Sequence, residues 1–458
     1  MPKKKTALTI EERLQQALVP AEEQPYEVPE NWVWVRLGAI AEIVTGGTPS
    51  KKHPEYYGGN FPFYKPSDLD QGRLTYDASE YLSEEGKNVS RIIPKNSTAV
   101  CCIGSIGKCG YLMCEGTTNQ QINSAIPKIN SLCLYYYLCT ENFVQDLLSM
   151  ASATTIAIVN KSKMESCAFP LPPLSEQQRI VERIEELLAK LDEAKERLQE
   201  VADSFAVRKA AILHKAFTGE LTKQWRRENG VSDESWEEIT WGSFIEKIEA
   251  GKNWNALGRP PKNGEFGVVK VSAVTWGEFL EDESKTCTEE SQWNEEKRIS
   301  VGDFLFSRAN TIQLVGNCVI VKDVKRKLML SDKILRFSLS ERVYDFFALW
   351  YTRTSSYRKQ IESVASGNQD GMRNISQNNM KMIIFPLPTL PEQHEIVRLI
   401  DDLLARERAA QQAAEQALAS IDLMKKSILA RAFRGELGTN KASEASALEL
   451  LKQVLAEN

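Results

Sequence analysis

The stretch FPLPPLSEQQRIVERIEELLA occupies residues 169–189, and a close copy, FPLPTLPEQHEIVRLIDDLLA, occupies residues 385–405. The match continues without a gap, at a constant offset of 216 positions, to AFTGEL at 216–221 and AFRGEL at 432–437. A segment of 53 residues therefore occurs twice in the chain. Because an ungapped match of this length tolerates no insertion, each copy is predicted to form one rigid element.

Helix is the element that these copies predict. Their prolines lie at the start of the segment, where a helix tolerates them, and Ser175 and Gln178 have the spacing of a capping box. Gly219 and Gly435 then stop the two helices. At 1.5 Å per residue, about 40 residues make a rod of roughly 60 Å.

Apolar residues follow an alternating four-and-three spacing along both rods, which is typical of a coiled-coil seam. Arg208 interrupts the seam in the first copy and Glu407 interrupts it in the second. The middle of the second copy is rich in alanine, which would let a neighbouring helix approach closely. The predicted seam consists of Ile180, Ile184, Leu187, Leu191, Leu198, Val201 and Phe205 in the first copy and Ile396, Ile400, Leu403, Ile421 and Ile428 in the second.

Two kinds of pairing are open to these helices. An isolated heptad segment usually serves for dimerisation of two chains. Two matching helices in one polypeptide can instead pair with each other in antiparallel fashion, which would create an internal pseudo-two-fold axis. The duplication favours the second arrangement.

A region of different residue composition precedes each rod. We call residues 28–168 the first head and residues 234–384 the second head. Short β-like runs with frequent Gly, Asn and Ser predict mixed α/β globular domains. The heads are weakly related to each other: residues 30–47 parallel 234–252 at an offset of 204, and residues 92–114 parallel 298–321 at an offset near 206. Variable heads on constant helices indicate a protein that recognises two different targets.

The remaining segments are short. Residues 1–27 include the amphipathic stretch LTIEERLQQAL, in which Thr9 and Glu12 have capping-box spacing, and residues 438–458 include the helix-like ASALELLKQVL. Either stretch could pack on the rods or on a partner. Residues 222–233 are predicted to be a linker.

Composition places the chain among soluble globular proteins. Hydrophobic residues make up 42% and charged residues 26% of the sequence, and no run of about 18 apolar residues occurs. We expect a cytoplasmic protein that does not enter a membrane. The nine cysteines form no CxxC pair and only three histidines are present, so the cysteines are predicted to be reduced core residues.

The charge of the chain does not by itself favour nucleic-acid binding. The net charge is −5; the first head holds 12 basic and 13 acidic residues, and the second holds 21 of each. A DNA-binding surface would therefore depend on segregation of charge on the folded heads, or on partner subunits that supply phosphate contacts.

Loops rich in amide, hydroxyl and cationic side chains are the candidate binding sites, because Asn, Gln and Arg suit base edges and Lys and Ser suit phosphates. The alternative is that these loops are merely solvated. Glycines 104, 107 and 110 resemble a phosphate cradle, but the P-loop pattern is broken at Cys109 and a β-turn is the preferred interpretation. The candidates are Lys51, Lys52, Lys65, Ser67, Ser105 and Lys108 in the first head and Arg308, Asn310, Thr311, Asn368, Gln369 and Arg373 in the second.

Motifs for chemistry are missing from the sequence. It contains no [ND]PP[YF]-type motif for adenine methylation, no Walker lysine and no tight carboxylate and lysine cluster of a nuclease. We therefore predict no catalytic, cofactor-binding or metal-binding residues in this chain, which would act as a non-catalytic subunit.

These features resemble the specificity subunit of type I restriction-modification systems. The resemblance covers nearly the whole chain and is carried by PLPPLSEQQRIVERI at 170–184, PLPTLPEQHEIVRLI at 386–400, the AFTGEL and AFRGEL endings, and the head starts PENWVWVRLG at 29–38 and ESWEEITWG at 234–242. It implies a fold with two target-recognition domains (28–168 and 234–384) and two long antiparallel helices (169–221 and 385–437).

The same resemblance implies a function and partners. Each head would read one half of a split double-stranded DNA sequence, and the helices would set the spacer. The partners would be two methyltransferase subunits that use S-adenosylmethionine and two motor-nuclease subunits that use ATP and Mg. A protein scaffold whose heads never read bases is the alternative.

Overall fold

The computed structural model describes residues 9–152, 157–367 and 372–457. The chain divides into two compact units. The first unit contains residues 1–199 and 416–458, and the second unit contains residues 200–415. Each unit holds one head, and the first unit is assembled from both ends of the sequence.

The first part of the chain builds the first head and the start of the central rod. Its helices are α1 (Ile10–Ala17), α2 (Leu37–Ile40), α3 (Glu84–Asn88), α4 (Ser131–Leu138), α5 (Glu141–Met150), α6 (Lys161–Ser166) and α7 (Leu174–Asp203). Its strands are β1 (Val33–Arg36), β2 (Ala41–Thr45), β3 (Tyr57–Tyr64), β4 (Glu80–Leu82), β5 (Thr98–Cys101), β6 (Cys109–Tyr111), β7 (Thr117–Thr118), β8 (Ile122–Pro127) and β9 (Ala168–Leu171).

The rest of the chain builds the second head and the distal rod. Its helices are α8 (Phe205–Phe217), α9 (Lys223–Asn229), α10 (Asp345–Tyr351), α11 (Ser355–Val364), α12 (Gln377–Lys381), α13 (Leu390–Ala432) and α14 (Ala447–Ala456). Its strands are β10 (Glu237–Thr240), β11 (Ile245–Ala250), β12 (Ala256–Leu257), β13 (Phe266–Val269), β14 (Ser284–Cys287), β15 (Phe304–Ser307), β16 (Ala309–Asn310), β17 (Cys318–Ile320), β18 (Lys327–Met329), β19 (Ile334–Leu339), β20 (Arg373–Asn374) and β21 (Ile384–Leu387).

The two heads share one sheet topology. The first head has an antiparallel sheet of order β2-β8-β5-β6, and the second head has one of order β11-β19-β15-β17. A second sheet follows the same rule, because β3 pairs antiparallel with β4 and parallel with β7, while β13 pairs antiparallel with β14 and parallel with β18. The weak similarity between the heads in sequence therefore corresponds to the same arrangement of strands.

The opening of each repeat is a strand, where the prediction had a helix from residue 169 and residue 385. β9 pairs with β1, and β21 pairs with β10. The helices begin only at Leu174 and Leu390. The reason is that a residue before proline disfavours helical backbone, so the FPLP sequence is held extended and forms a separate two-stranded sheet with the first strand of its own head. The predicted capping box also does not form, because Ser175 lies inside α7 and Gln178 contacts Asn130 and Glu182.

The central rod is broken into two helices, α7 and α8, at Ser204. The Arg208 guanidinium donates to the Ser204 hydroxyl and, at 3.2 Å, to the Val201 carbonyl oxygen. The Val201 carbonyl oxygen thus accepts from two side chains, Ser204 and Arg208, while the backbone bonds from Ser204 to Glu200 and from Arg208 to Ser204 are kept. The distal rod, α13, is one helix of 43 residues. The predicted linker is also structured, since α9 occupies Lys223–Asn229.

Burial along the predicted seam is uneven. Ile180, Ile184, Ile396, Ile400 and Ile421 are buried, as are Leu404 and Ala414. The residues Leu187, Leu191, Leu198, Phe205, Leu403 and Ile428 are half-buried. Val201 is 40% exposed, so the structure does not bury the seam at that position.

Ion pairs join the helices within each unit. In the first unit Lys195 pairs with Asp422 at 3.6 Å, and Lys425 pairs with Asp192. In the second unit Arg208 pairs with Glu407 at 2.5 Å. The two residues that interrupt the apolar seam in sequence are therefore partners of each other.

The terminal helices pack together on the first unit. Thr9 and Glu12 form the predicted capping box of α1. The Arg13 guanidinium donates to the carbonyl oxygen of Leu455 in α14 at 3.1 Å, and the backbone N–H of Ala447 donates to Asn31 at 2.9 Å. Both stretches thus pack on each other and on the first head.

All nine cysteines are free thiols, and six of them are buried: Cys101, Cys102, Cys133, Cys167, Cys287 and Cys318. Burial raises the pKa of Cys102 and of Cys318 to about 12. The prediction of reduced core cysteines holds for these six, while Cys109, Cys114 and Cys139 are half-buried. Across the described part of the chain, no helix combines the length and apolar character that crossing a bilayer requires.

Candidate nucleic-acid interface

A buried Glu-Gln pair fixes the start of each rod to its head. Gln177 donates to the carbonyl oxygen of Pro172 and accepts from the N–H of Asn130, while Gln393 donates to Pro388 and accepts from Tyr344. Both glutamines are fully buried. Because the same contacts recur, each head is held on its helix in the same way.

The adjacent glutamates are also fully buried but have different partners. Glu176 accepts hydrogen bonds from Trp32 at 2.7 Å, Asn440 at 2.8 Å and Thr439 at 3.1 Å. Glu392 accepts instead from Thr222 at 2.6 Å and from the Arg226 guanidinium at 2.7 Å. Sequence reasoning missed all four residues of these pairs, although EQ occurs at the same place in both repeats.

Two loops meet at one edge of the first head. The loop after β2 contains Lys51 and Lys52, and its Gly47 N–H donates to Thr118 at 2.8 Å. The Thr48 hydroxyl contacts the Gln120 amide oxygen at 2.5 Å. A side chain at Gly46 would collide with the backbone of residues 118 and 119, so only glycine allows this approach.

The other candidates of the first head form a second group. The backbone of Ser67 accepts from Asp70, whose carboxylate pairs with Lys108 at 2.6 Å. Lys108 also donates its N–H to Ser105 at 3.3 Å. Gly104 and Gly107 have φ of 81° and 86° and turn the chain between β5 and β6, as the β-turn interpretation predicted. Lys65 pairs with Glu80 at 2.8 Å.

The second head brings its described candidates together. Asn310 faces Arg373 across the β16–β20 pair. The Asn310 amide donates to the Thr275 hydroxyl at 3.2 Å, next to Trp276, which is 69% exposed. Arg308 and exposed Thr311 flank this position. Asn368 and Gln369 lie outside the described residues.

A cleft of about 400 Å³ lies beside this group. It is lined by Lys270, Lys285 and Lys333, together with Asn253 and Asp332. The N–H of Arg308 donates to Lys333 at 3.0 Å, which joins the cleft to the candidate residues. Sequence reasoning missed these lysines because they are scattered over three separate segments.

Exposed amides and unpaired cations are suited to base edges and phosphates, respectively. Gln120 is exposed in the first head. Lys51, Lys52, Lys285 and Lys333 make no ion pair with any other residue that the structure describes. The run NQQ at 119–121, which follows a short strand, is the signal that could have identified Gln120. Within the described ranges no cluster of His, Cys, Asp and Glu could hold a metal ion.

Comparison with known proteins shows which family this chain is similar to. The family model of the type I restriction modification DNA specificity domain matches residues 29–203 and 233–417. The chain is 25% identical to the EcoKI specificity subunit of Escherichia coli K12, over 94% of this chain and 96% of that protein. It is 32% identical to the HindI specificity subunit of Haemophilus influenzae over 38% of this chain and 40% of that protein.

The fold is also known from a solved structure. The HsdS subunit from Thermoanaerobacter tengcongensis superposes with a TM-score of 0.64 at 18% identity, covering 90% of this chain and 99% of that one. The mixed α/β heads and long helices are common to both. The family model covers two separate stretches, each containing one head and the start of one rod, and the chain therefore belongs to the family of type I restriction-modification DNA specificity proteins.

Proposed function

We propose that this chain is the DNA specificity subunit of a type I restriction-modification complex, in which each head reads one half of a bipartite target. The observation that carries the proposal is the pair of heads with one topology and different exposed loops. The first head presents Lys51, Lys52 and Gln120, whereas the second presents Asn310, Arg373 and a lysine-lined cleft. Different side chains on equivalent frames suit two different half-sites.

The two rods have the role of a ruler in this proposal. Each unit contains an antiparallel pair of helix segments joined by ion pairs. We infer that these segments form one antiparallel coiled coil with a pseudo-two-fold axis, which sets the spacer and offers equivalent docking surfaces to two methyltransferase subunits. The heads bind DNA and position it, while S-adenosylmethionine, ATP and Mg serve the methyltransferase and motor-nuclease partners.

Charge distribution supports direct readout, despite the net charge of −5. The unpaired lysines named above lie beside the amide side chains of both heads, so cationic groups for phosphates and amide groups for bases occur on the same surfaces. Phosphate contacts would position each head, and amide contacts would specify the sequence.

The test is to co-express the chain with the methyltransferase encoded beside it, in a host without adenine methylation, and to map methylated adenines by single-molecule sequencing. We expect a split motif that is methylated only when this chain is present. The matched control exchanges residues 28–168 for the first head of a relative, which should change one half of the motif and leave the other half and the spacer unchanged. A stable complex with an active methyltransferase that methylates no split motif would favour the scaffold alternative.

A further inference from the structure

The N-terminal segment of the chain covers one face of the first unit. Residues 19–28 pass over the strand pair β1–β9, and the Val19 N–H donates to the Trp34 carbonyl oxygen at 3.0 Å. The Trp34 indole N–H donates to the carbonyl oxygen of Tyr26 at 3.2 Å, and the two rings meet edge to face at 4.9 Å. Val19, Trp34 and Ala168 form a buried apolar cluster under this segment.

Tyr26 is the anchor of the segment. Burial raises its pKa, and the charge of Arg434 and the side chain of Asn142 at the start of α5 partly counter that rise. The Arg434 guanidinium lies 5.4 Å from the centre of its ring. Closer to the start of the same segment, Glu23 forms an ion pair of 2.5 Å with Arg36.

The second unit has the same frame at these positions. The register of β10 on β21 repeats that of β1 on β9, so Glu238 corresponds to Trp34 and Ile384 corresponds to Ala168. Thr140 and Thr354 cap α5 and α11 in the same way, which makes Ser356 the counterpart of Asn142.

The second unit lacks a segment over this frame. A groove of about 550 Å³ is lined there by Phe217, Glu238, Tyr351, Ser356, Ile384 and Pro386, among others. Ile384 is 42% exposed, whereas its counterpart Ala168 is 6% exposed. Phe217 is half-buried, whereas its counterpart Phe433 is fully buried.

The chain that precedes the second head folds elsewhere. The residues that correspond in sequence to the N-terminal segment form α9 instead. Arg226 of that helix is held by Glu392 at 2.7 Å and by Asp233 at 3.0 Å. The ion pair with the fully buried Glu392 holds α9 in place, whereas Asp233 is largely exposed. No segment covers the groove within the described part of the second unit.

We propose that this groove binds an extended segment of one of the two methyltransferase subunits, the one that docks on the second unit, with an aromatic residue as anchor and a lysine or arginine beside it. The aromatic anchor takes the place of Tyr26, against Phe217 and Ile384. The cation pairs with Glu238, which is exposed and has no ion-pair partner among the described residues, although Arg353 and Lys359 line the same groove. The identity of the partner rests on the proposed function, whereas the chemistry of the segment rests on the comparison between the two units.

The experiment places the photo-crosslinking residue benzoylphenylalanine at position 356 in the full chain, co-expressed with the methyltransferase subunit. We expect an adduct between the two subunits, and the cross-linked methyltransferase peptide should contain an aromatic residue with a lysine or arginine within two positions. The matched control carries the same residue at position 142, where the adduct should form within this chain, to residues 19–28. Failure to form an adduct at position 356 in an intact complex, or an adduct with a second copy of this chain, would overturn the proposal.

A second measurement uses binding affinity. Ser356→Trp fills the groove and should weaken methyltransferase binding at least 10-fold with an unchanged melting temperature, whereas Val301→Trp, at a residue 63% exposed elsewhere on the second head, should change neither. Equal affinity of the two variants for the methyltransferase would contradict the proposal that it binds in the groove. If the complex methylates a split motif but no adduct forms at position 356, only the binding in the groove is rejected. If an adduct forms at position 356 but the complex methylates no split motif, only the specificity function is rejected.

Discussion

The two units use one backbone frame and different polar chemistry at its most buried point. In the first unit the carboxylate of Glu176 is held by neutral donors, while in the second unit Glu392 is held largely by the cation of Arg226. Strand registers and the glutamines next to these residues are the same in both units. The comparison teaches that packing and register maintain the fold, whereas the partners of a buried charge can change between copies.

The largest expected effect compares a fully buried position of the seam with a half-buried one. Ile400→Asp should cost about 5 kcal/mol, because a fully buried side chain would be replaced by an unpaired charge. Leu187→Asp should cost about 2 kcal/mol, because position 187 is only half-buried and the carboxylate of the new aspartate would reach water. Both free-energy costs are measured by denaturant unfolding that is monitored through hydrogen exchange in each unit. Equal costs would show that the burial of a seam position does not determine the cost of placing a charge there.

The next effect concerns the buried glutamates. Glu392→Ala should cost about 3 to 5 kcal/mol, since Arg226 loses its most buried partner. Glu176→Ala removes an acceptor from neutral donors and should cost about 1 to 3 kcal/mol. The same unfolding measurements apply, with Glu392→Gln and Glu176→Gln as controls for volume. If Glu176→Ala were the more damaging of the two, the assignment of partners would be wrong.

A smaller, pH-dependent effect belongs to the second unit alone. Glu249 faces Arg336 across β11–β19, where the first head has Val44 opposite Ser124. Burial by itself raises the pKa of Glu249, but hydrogen bonds from Arg336, Lys247 and Lys297 lower it to about 2. Because the folded pKa lies below the ordinary value of 4.5, the stability that this group contributes is present above pH 4.5 and is lost as the pH falls to about 2.

The measurement compares wild type with Glu249→Gln between pH 6 and pH 2. We expect the wild type to be more stable by about 2 kcal/mol at the upper end and the difference to vanish at the lower end. A difference that persists at pH 2 would mean that Glu249 acts through packing rather than charge.

The smallest expected effect compares the two DNA-facing surfaces. Asn310→Ala and Gln120→Ala should each weaken DNA binding by about 1 kcal/mol, and each should relax specificity in one half-site only. The value is at the low end for a base contact because Asn310 already donates to Thr275 and Gln120 already accepts from Thr48. Binding titrations on targets with single-base changes in either half provide the test. Uniform weakening across all targets would indicate phosphate contacts instead.

Much of the fold could be predicted from the duplicated segment. The rods, the relation between the heads and the helix that begins at Ile10 follow from local spacing, which sequence displays directly. The FPLP strands could not be predicted, because an extended proline-rich stretch becomes a strand only when a partner such as β1 is present. The break at Ser204 likewise could not be predicted, because it coincides with side-chain contacts of Arg208 that local spacing does not display.

Less of the candidate interface could be predicted. Lys51 and Lys52 could be proposed because they occur together in a polar loop, and Asn310 and Arg373 because their residue types suit base edges; their contact with DNA stays a prediction. Lys270, Lys285 and Lys333 were missed, since only the fold brings three distant segments to one cleft. Glu176 and Glu392 were missed because a charged residue next to a helical repeat gives no sign that it is buried.

The division of the chain has a consequence for its synthesis. Glu176 is held by Thr439 and Asn440, so the core of the first unit needs residues that are translated after the whole second unit. At 5 to 20 residues per second, the about 270 residues between the end of the first head and Asn440 take roughly 14 to 54 s to translate. During that interval the second unit can fold on the ribosome, while the first head waits with part of its apolar surface uncovered. Nascent chains should therefore acquire protease resistance in reverse order, with residues 200–415 protected before residues 28–168.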